Sequence, residues 1–165
     1  MPAPAPPDAA AHTAAIRRMF AAIAPRYDLL NRLLSFRRDV AWRRAAAAEA
    51  ALPLHGAALD LCTGTADLAL EVARQYPGAR SIVGVDLCEP MLRLGRRKVA
   101  GHEHRVRLAA GAAEALPFAA GTFDAVLVAF GIRNVTDRAA ALAEMRRVLR
   151  PGGRAIVLEF FQPRG

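Results

Sequence analysis

An acid, a glycine and a threonine lie close together in the stretch A-A-L-D-L-C-T-G-T-A-D (57–67). The stretch predicts a short buried strand ending at Asp60, a tight turn through Gly64, and a helix that opens between Thr65 and Asp67. A strand–turn–helix arrangement lets backbone N–H groups and a helix N-terminus approach a ligand closely. Asp60 can accept hydrogen bonds from the turn, Gly64 lets the backbone pass near a ligand, and Thr65 is expected to face the crevice at the carboxyl end of the sheet.

A second acid ends a second apolar strand. The stretch S-I-V-G-V-D ends at Asp86, 26 residues after Asp60, which is near the spacing at which a strand-end acid binds ribose hydroxyls. Leu87 and Met91 lie just beyond it and can flank a flat base. Together, the turn and the second acid indicate a ligand that contains a nucleoside.

The turn does not match a dinucleotide-binding loop. Cys62, Gly64 and Ala66 occupy the positions that such a loop fills with glycine, and Asp67 supplies an acid where a phosphate cradle usually has Lys, Ser or Thr. An acid beside the ligand favours a cation. The sulfonium of S-adenosylmethionine is a cation that also carries an amino group, so a methyl donor fits the turn better than a dinucleotide does.

Alternating strand and helix patterns are expected to position these residues. Apolar runs predict strands at 57–60, 81–86, 105–109, 125–130 and 154–160, and helical spacing predicts helices at 66–75, 91–100 and 137–149. Asp137 is the predicted cap of the last helix, and P-G-G (151–153) is expected to end it. Strands that alternate with helices imply right-handed crossovers, and therefore an α/β fold with a doubly wound, mostly parallel sheet.

The N-terminal part of the chain has a helical pattern. Apolar residues recur at helical spacing from Thr13 to Ala51, with a break at Pro25, and Asp39 is the predicted cap of the last helix. Arginines crowd this region, so it is either a solvated helical cap or a lid over an apolar substrate that docks on an anionic bilayer. The predicted organisation is a disordered tail over 1–12 and a single domain over 13–165, with the cap at 13–55 and the core at 56–165.

Composition limits the class of protein. The 165 residues are 54% hydrophobic and 23% charged, which is typical of one soluble globular domain. No window reaches the length of a membrane span, and the N-terminus lacks the pattern of a secretory signal. A cytoplasmic location is therefore expected, with the inner face of the membrane as a further site. Cys62 and Cys88 are expected to be reduced thiols, and no Cys/His cluster has metal-ligand spacing.

The net charge is +8, with 22 arginines and one lysine. Such a balance can attract nucleic acid or an anionic surface. Arginine in place of lysine, alongside so much alanine, also fits a G+C-rich coding bias, which weakens the charge as a functional signal.

Five motifs stand in order along the chain. They are Y-D-L-L-N-R-L-L-S-F-R-R-D-V-A-W (27–42), L-D-L-C-T-G-T-A-D (59–67), A-E-A-L-P-F (113–118), A-F-G-I-R-N-V (129–135) and R-V-L-R-P-G-G-R (147–154). Together they resemble the ubiquinone/menaquinone biosynthesis C-methyltransferase family over about residues 19–163. The first and fourth are peculiar to that family. The others are shared more widely, and the resemblance implies the Rossmann-like fold of class I S-adenosylmethionine-dependent methyltransferases.

The resemblance implies methylation of a ring carbon on prenylated demethylmenaquinol, or on the benzoquinol of the ubiquinone pathway, with S-adenosylmethionine as donor and no metal. In the family motifs, Tyr27, Arg133 and Asn134 face the substrate. Arg133 is expected to stabilise the developing oxyanion, and Asn134 or Tyr27 to orient the ring. The alternatives are an ion pair for Arg133, a turn cap for Asn134 and cap packing for Tyr27. The residues and the resemblance together predict this cofactor-binding set: Asp60, Gly64, Thr65, Asp86, Leu87, Ala112, Ala113 and Ala129.

Three features depart from the family pattern. Ala66 stands where members usually have glycine. Ala112 stands where they have Asp or Asn, which removes a polar contact to adenine, typically about 1 kcal/mol. The sequence ends soon after the fifth strand, where the family continues with a helical segment and two more strands. The resemblance therefore implies either a short form with impaired activity or a homo-oligomer that completes its sheet through the exposed edge of strand five.

Two other functions remain open from the residues. One is a class I methyltransferase for another small molecule or for RNA, and the other is a non-catalytic remnant or partner subunit. The basic residues form no patch interleaved with aromatics and the cap is leucine-rich, so no nucleic-acid partner is expected. Binding of the methyl donor separates the first two functions from the third, and activity on a quinol analogue separates the first from the second.

Overall fold

A computed structural model describes residues 9–102 and 104–160 of the chain. Six α-helices and five strands follow one another over these residues. The helices are α1 (Ala9–Ile23), α2 (Tyr27–Leu34), α3 (Arg38–Ala48), α4 (Asp67–Gln75), α5 (Glu89–Val99) and α6 (Arg138–Val148). The strands are β1 (Ala57–Leu61), β2 (Ser81–Asp86), β3 (Val106–Ala110), β4 (Phe123–Ala129) and β5 (Leu149–Leu158). Short 3₁₀ helices cover Ala24–Arg26 and Ile132–Asn134.

The five strands form one parallel sheet in the order β3-β2-β1-β4-β5. The order reverses at β1, so the carboxyl ends of β1, β2 and β4 meet at a switch point where α/β sheets bind ligands. All five residues of β1 are buried, as expected for the central strand of a sheet that is covered on both faces. The predicted doubly wound sheet is thus confirmed.

Two apolar cores lie on the two faces of the sheet. On one face, Ala58, Ile82 and Leu127 pack with residues of α3 and α4, including Ala47 and Val72. On the other face, Leu59, Val85 and Val126 pack with Ala141 and Met145 of α6. The alternation along each strand sends successive side chains to opposite faces, which is why both faces of β1 and β4 are apolar.

Several predicted boundaries need correction. Helix α1 begins at Ala9, so residues 9–12 of the predicted tail are helical, and residues 1–8 lie outside the described part of the chain. Asp39 does not cap α3, because the helix begins at Arg38 and the cap position is Arg37. Asp137 does cap α6, since its Oδ1 accepts a hydrogen bond from the Ala140 N–H at 2.9 Å.

The P-G-G segment was expected to separate the last helix from the last strand, and this is wrong. Strand β5 begins at Leu149 and runs through P-G-G. Phe123 pairs with Leu149 but Ala125 pairs with Arg154, so the extra residues form a bulge against β4. Gly152 takes a φ of 80° within it, a conformation that glycine adopts without strain.

Candidate active site

A cavity opens at the carboxyl ends of β1, β2 and β4, beneath the N-terminal helices. Leu61, Asp86 and Ala129 reach it from the strand ends, and Phe20 and Tyr27 reach it from α1 and α2. Its lining is mainly apolar. The helices approach it because Phe20 meets Tyr27 edge to face, with ring centroids 5.9 Å apart, and both pack with Ala24 against Cys88 and Met91.

The buried carboxylate of Asp60 stabilises the turn that follows β1. It is 2% exposed, and its Oδ2 accepts hydrogen bonds from the Thr63 hydroxyl at 2.6 Å and from the Ala69 N–H at 3.0 Å. Burial raises the pKa of Asp60 to about 7, against the opposing effect of these two hydrogen bonds. Asp60 does not line the cavity. It accepts bonds from the turn, as expected, and positions the site rather than contacting a ligand.

Gly64 and Asp86 lie together on the cavity wall. The Gly64 N–H donates to Asp86 Oδ2 at 2.8 Å, and the Cys88 N–H donates to Asp86 Oδ1 at 2.8 Å. Burial raises the pKa of Asp86, although these backbone donors work against the shift. The Leu87 backbone also donates to this carboxylate. Because a carboxylate has about four lone-pair positions, these backbone N–H groups orient it and leave capacity for a further donor.

Thr65 takes a different place from the one predicted. It is 2% exposed and lies outside the cavity lining. Its hydroxyl donates to Asp28 Oδ1 at 2.7 Å and accepts from Lys98 Nζ at 2.8 Å. Lys98 Nζ also lies 2.6 Å from Asp67 Oδ1. Asp67 therefore has a cationic partner within the protein, which makes it a poor candidate for the acid that would attract a cationic ligand.

Among the remaining residues predicted to bind the cofactor, three line the cavity and one does not. Leu87, Ala113 and Ala129 line the cavity, whereas Ala112 does not and forms an isolated bridge with Ala115. Met91, which was expected to flank a flat base together with Leu87, also lines the cavity.

The three residues expected to face the substrate do not all line the cavity. Tyr27 and Asn134 line the cavity, but Arg133 does not. The Arg133 guanidinium instead pairs with Glu159 at 3.0 Å and lies 5.7 Å from the centre of the Phe160 ring. The ion-pair alternative for Arg133 fits these contacts as they stand.

Many lining residues were not predicted as site residues, including Arg17, Phe20 and Glu114. Arg17 and Phe20 come from α1, and Glu114 stands beside Ala113. Phe20 belongs to the helical apolar pattern, which indicates packing. Glu114 lies inside the A-E-A-L-P-F motif, which indicates a loop. Lys98 had no such signal beyond being the single lysine.

The cavity suits an adenosine-containing ligand. Gly64, with a φ of 57°, and Gly111 supply wall positions without side chains. A Cβ added at Gly131 would lie 2.4 Å from the Cβ of Cys62, so glycine is required for the close approach of the two loops. Asp86 offers an aimed carboxylate for a pair of hydroxyls, and the apolar wall suits a base. The described residues contain no group of three or more His, Cys, Asp or Glu placed to hold a metal ion.

Both cysteines are free. Burial raises the pKa of the Cys62 thiol and of the Cys88 thiol. Cys88 packs beneath α1, where its sulfur lies 3.8 Å from the Arg17 carbonyl oxygen.

The strand order and the site at the switch point define a class I S-adenosylmethionine-dependent methyltransferase fold. A SAM-dependent methyltransferase from Thermotoga maritima superposes with a TM-score of 0.65 at 26% identity, over 85% of this chain and 59% of that one. The [4+2]-cyclase SpnF superposes with a TM-score of 0.68 at 27% identity, over 73% and 44%. The second likeness shows that this fold carries more than one chemistry.

Sequence comparison narrows the class. The family model described as the ubiE/COQ5 methyltransferase family matches residues 9–165, and the chain belongs to that family. It is 56% identical over 151 residues to the ubiquinone/menaquinone biosynthesis C-methyltransferase UbiE of Geobacter sulfurreducens, covering 90% of this chain and 59% of that protein. It is 53% identical over 145 residues to the demethylmenaquinone methyltransferase of Thermus thermophilus, covering 88% and 66%. The chain thus spans about three fifths to two thirds of the length of these relatives.

Proposed function

We propose that the chain binds S-adenosylmethionine and methylates a ring carbon of a prenylated quinol, either demethylmenaquinol or its counterpart in the ubiquinone pathway. One observation carries the proposal. Tyr27 and Asn134, from the two motifs peculiar to the family, line the same cavity as Asp86 and Gly64. The names of the relatives, which refer to quinone biosynthesis, support the choice of substrate.

The chain's own residues would bind and orient both partners. Asp86 would hold the ribose hydroxyls, Leu87 and Met91 the base, and the Gly64 backbone the remainder of the donor. When bound, S-adenosylmethionine supplies an electrophilic methyl group. The reduced quinol ring is electron-rich, so the protein's task is mainly to place its carbon in line and to exclude water. Tyr27 and Asn134 are placed to orient the ring.

Arg133 needs a separate test, because Glu159 holds it outside the cavity lining. Stabilising a quinol oxyanion would require the guanidinium to exchange this carboxylate for the substrate oxygen. Arg133→Gln and Glu159→Gln separate the two roles. If Arg133 acts on the substrate, Arg133→Gln lowers kcat far more than Glu159→Gln does. If the ion pair is purely structural, the two variants lose similar stability and similar activity.

The first experiment is calorimetric titration of the chain with S-adenosylhomocysteine, the demethylated product. Asp86→Asn is expected to weaken binding at least about tenfold, since the new amide can no longer accept from all of its N–H partners. Glu89→Gln is the matched control, because it removes one negative charge three residues away, outside the cavity lining. Absence of binding by the folded chain at millimolar ligand would contradict the methyl-donor site and favour a non-catalytic remnant.

The second experiment incubates the chain anaerobically with S-adenosylmethionine and a short-chain demethylmenaquinol. Mass spectrometry of the quinone is expected to show a gain of one methyl group, which Asp86→Asn abolishes. Donor binding without this product would contradict the quinol substrate and favour a methyltransferase for another small molecule.

We also propose that the cap contacts an anionic membrane surface at the inner face of the membrane, where a prenylated quinol resides. Between residues 29 and 36, apolar side chains point to solvent and arginines accompany them. The strongly exposed apolar residues are Leu29, Leu33, Leu34 and Phe36, with Phe36 88% exposed, and the exposed arginines are Arg26, Arg32, Arg37 and Arg38. Apolar side chains flanked by arginine suit the boundary between headgroups and acyl chains. No helix among the described residues is long and apolar enough to cross a membrane.

Vesicle sedimentation tests this contact. Leu33→Ser with Phe36→Ser is expected to abolish binding to vesicles with anionic lipid while leaving the affinity for S-adenosylhomocysteine unchanged. Leu54→Ser is the control, because Leu54 is a similarly exposed apolar residue outside the segment 29–38. Retained vesicle binding in the double variant would contradict the contact.

Self-association through β5 is a further proposal. In the described part of the chain β5 is an edge strand, with Val157 40% exposed. An unpaired edge of this kind invites pairing with another copy. Light scattering is expected to show a dimer that Val157→Lys dissociates, and a monodisperse monomer would contradict the proposal.

A further inference from the structure

Helix α2 lies over the site with little apolar packing against the rest of the protein. None of its eight residues, all of which the structure describes, is buried. Its leucines Leu29, Leu33 and Leu34 are exposed rather than packed on the core. At the start of α2, Tyr27 lines the cavity and packs against the cluster of Ala24, Cys88 and Met91. Beyond Tyr27, polar contacts join α2 to the rest of the protein.

Those contacts converge on the single lysine of the chain. Lys98 Nζ lies 2.5 Å from Asp28 Oδ2, 2.6 Å from Asp67 Oδ1 and 2.8 Å from Thr65 Oγ1. An ammonium group has three donors, and each has an acceptor here. The three acceptors come from α2, from the first turn of α4 and from the turn at 62–66, called the glycine turn below, while Lys98 itself belongs to α5. One side chain thus joins four segments.

The contacts also reinforce one another. The Thr65 hydroxyl donates to Asp28 Oδ1 at 2.7 Å while it accepts from Lys98. Thr65 follows Gly64, whose N–H donates to Asp86. A continuous path of short contacts therefore runs from the cap, through Lys98 and Thr65, to the carboxylate proposed to bind ribose.

The charges make the arrangement dependent on the lysine. Asp28 and Asp67 carry two negative charges, Lys98 lies between them, and Arg32 approaches Asp67 only to 4.0 Å. Without the ammonium group, two carboxylates would face each other around a buried hydroxyl, with repulsion pushing α2 outwards. The three ionised side chains are 23–26% exposed, so water and reagents can reach the cluster once it loosens.

We propose that Lys98 is a positioning residue that latches α2 onto the glycine turn, so that cap closure and the geometry of the methyl-donor site are coupled. When the latch is closed, Tyr27 lies over the cavity and Thr65 holds the turn. When it opens, α2 moves away and the donor is released. The ligand-binding part of this inference rests on the proposed function, whereas the latch itself does not.

Hydrogen exchange of the ligand-free chain tests the latch directly. In Lys98→Met, the amides of α2 and of the glycine turn are expected to exchange about tenfold faster than in wild type, a coupling typical of residues in one network. The amides of β1 and β4 should be unchanged. Lys98→Arg, which keeps the charge, is expected to stay within about threefold of wild type. Unchanged α2 exchange in Lys98→Met, or equal acceleration in every element, would overturn the proposal.

Lys98 is the only lysine of the chain. Two chemical modifications of its amine, one that removes the charge and one that keeps it, can therefore be compared without a mutation. Acetylation removes its charge and reductive methylation keeps it, while both reagents also modify the N-terminus. Acetylated protein is expected to show fast α2 exchange and about tenfold weaker S-adenosylhomocysteine binding, and methylated protein to resemble the unmodified chain. Identical behaviour of the two modified forms would overturn the latch. If the unmodified chain binds no S-adenosylhomocysteine, the proposed function fails, but the exchange experiment still decides the latch.

Discussion

The glycine turn (62–66) and the cap corner (35–38) both force residues other than glycine into the left-handed region, but they hold them differently. Cys62 and Ala66 in the turn have φ of 55° and 68°, and Phe36 and Arg37 at the corner have φ of 50° and 63°. Such residues cost of order 1 kcal/mol each and persist where the surroundings hold them.

In the turn, the surroundings are buried and distant in sequence. The Thr63 N–H donates to the Val85 carbonyl at 3.0 Å, and the Gly64 N–H donates to Asp86. At the corner, the bonds are local, as in the Arg37 N–H to the Arg32 carbonyl at 2.8 Å. The comparison indicates that contacts distant in sequence hold the buried turn, whereas local bonds hold the corner with the Phe36 side chain exposed.

The largest expected effect concerns two buried acids, one next to each region. Burial raises the pKa of Asp60, the β1 residue that accepts hydrogen bonds from the turn. Burial also raises the pKa of Asp39, which follows the corner in α3, but hydrogen bonds from Ser35 and Arg43 and the charge of Arg43 outweigh it, so the net pKa is lowered. The two acids should therefore give opposite pH dependences.

The folded pKa of Asp60 is about 7, against an ordinary value of 3.8. Between these values the folded chain keeps a proton that the unfolded chain releases, so the free energy of unfolding falls as pH rises from about 4 to 7. The difference of about 3 pKa units corresponds to about 4 kcal/mol at most. In Asp60→Asn the part of this slope that Asp60 contributes should disappear, and the part from Asp86, whose pKa burial also raises, should remain. Urea denaturation from pH 4 to 8 measures the change.

Asp39→Asn is the control for that experiment. Stability from a lowered pKa is present above the ordinary value and is lost as pH falls through the folded one, so this variant should be destabilised throughout pH 5–8 without losing the slope. A wild-type slope in Asp60→Asn would show that Asp60 does not carry the proton.

The second prediction tests whether the turn is braced by β2. A Cβ added at Gly84 would lie 2.6 Å from Leu108 Cδ2 and 2.7 Å from Thr63 Oγ1. Gly84→Ala should therefore push Thr63 away from Asp60, destabilise the chain by about 1–3 kcal/mol and weaken S-adenosylhomocysteine binding. Denaturation and calorimetry measure the two effects.

Gly121→Ala separates overpacking from backbone strain. Gly121 has a φ of 66°, and nothing lies within 4 Å of an added Cβ. This variant should lose about 1 kcal/mol from strain alone and bind the ligand normally. Normal binding by Gly84→Ala as well would mean that the turn keeps its shape without Thr63.

Patterns within one segment predicted the fold closely. The strand Ser81–Asp86 and the Asp137 cap are as expected, because buried alternation and capping are local signals. Asp86 and Ala129 line the cavity, as expected for residues at strand ends. The sequence does not identify the partners where two polar residues that are distant along the chain form an ion pair. Arg133 with Glu159 and Lys98 with Asp28 are separated by 26 and 70 residues, and no local pattern specifies such pairs.

The smallest expected effect compares glycine at one left-handed position of each region, Phe36 at the corner and Ala66 in the turn. Phe36→Gly removes strain of about 1–2 kcal/mol against an entropic cost of about 0.5–1 kcal/mol. Its side chain is 88% exposed, so little packing is lost and a gain of about 0.5–1 kcal/mol is expected.

Ala66→Gly should gain less, because Ala66 is fully buried and its methyl group packs in the core between sheet and helices. Losing that methyl costs about 0.8 kcal/mol, which brings the net change close to zero. Ala69→Gly, also fully buried but inside α4, carries no left-handed strain and should simply destabilise. Thermal denaturation ranks the three variants. If Ala66→Gly proves as stabilising as Phe36→Gly, the methyl group contributes nothing to packing, and the turn is held by its hydrogen bonds alone.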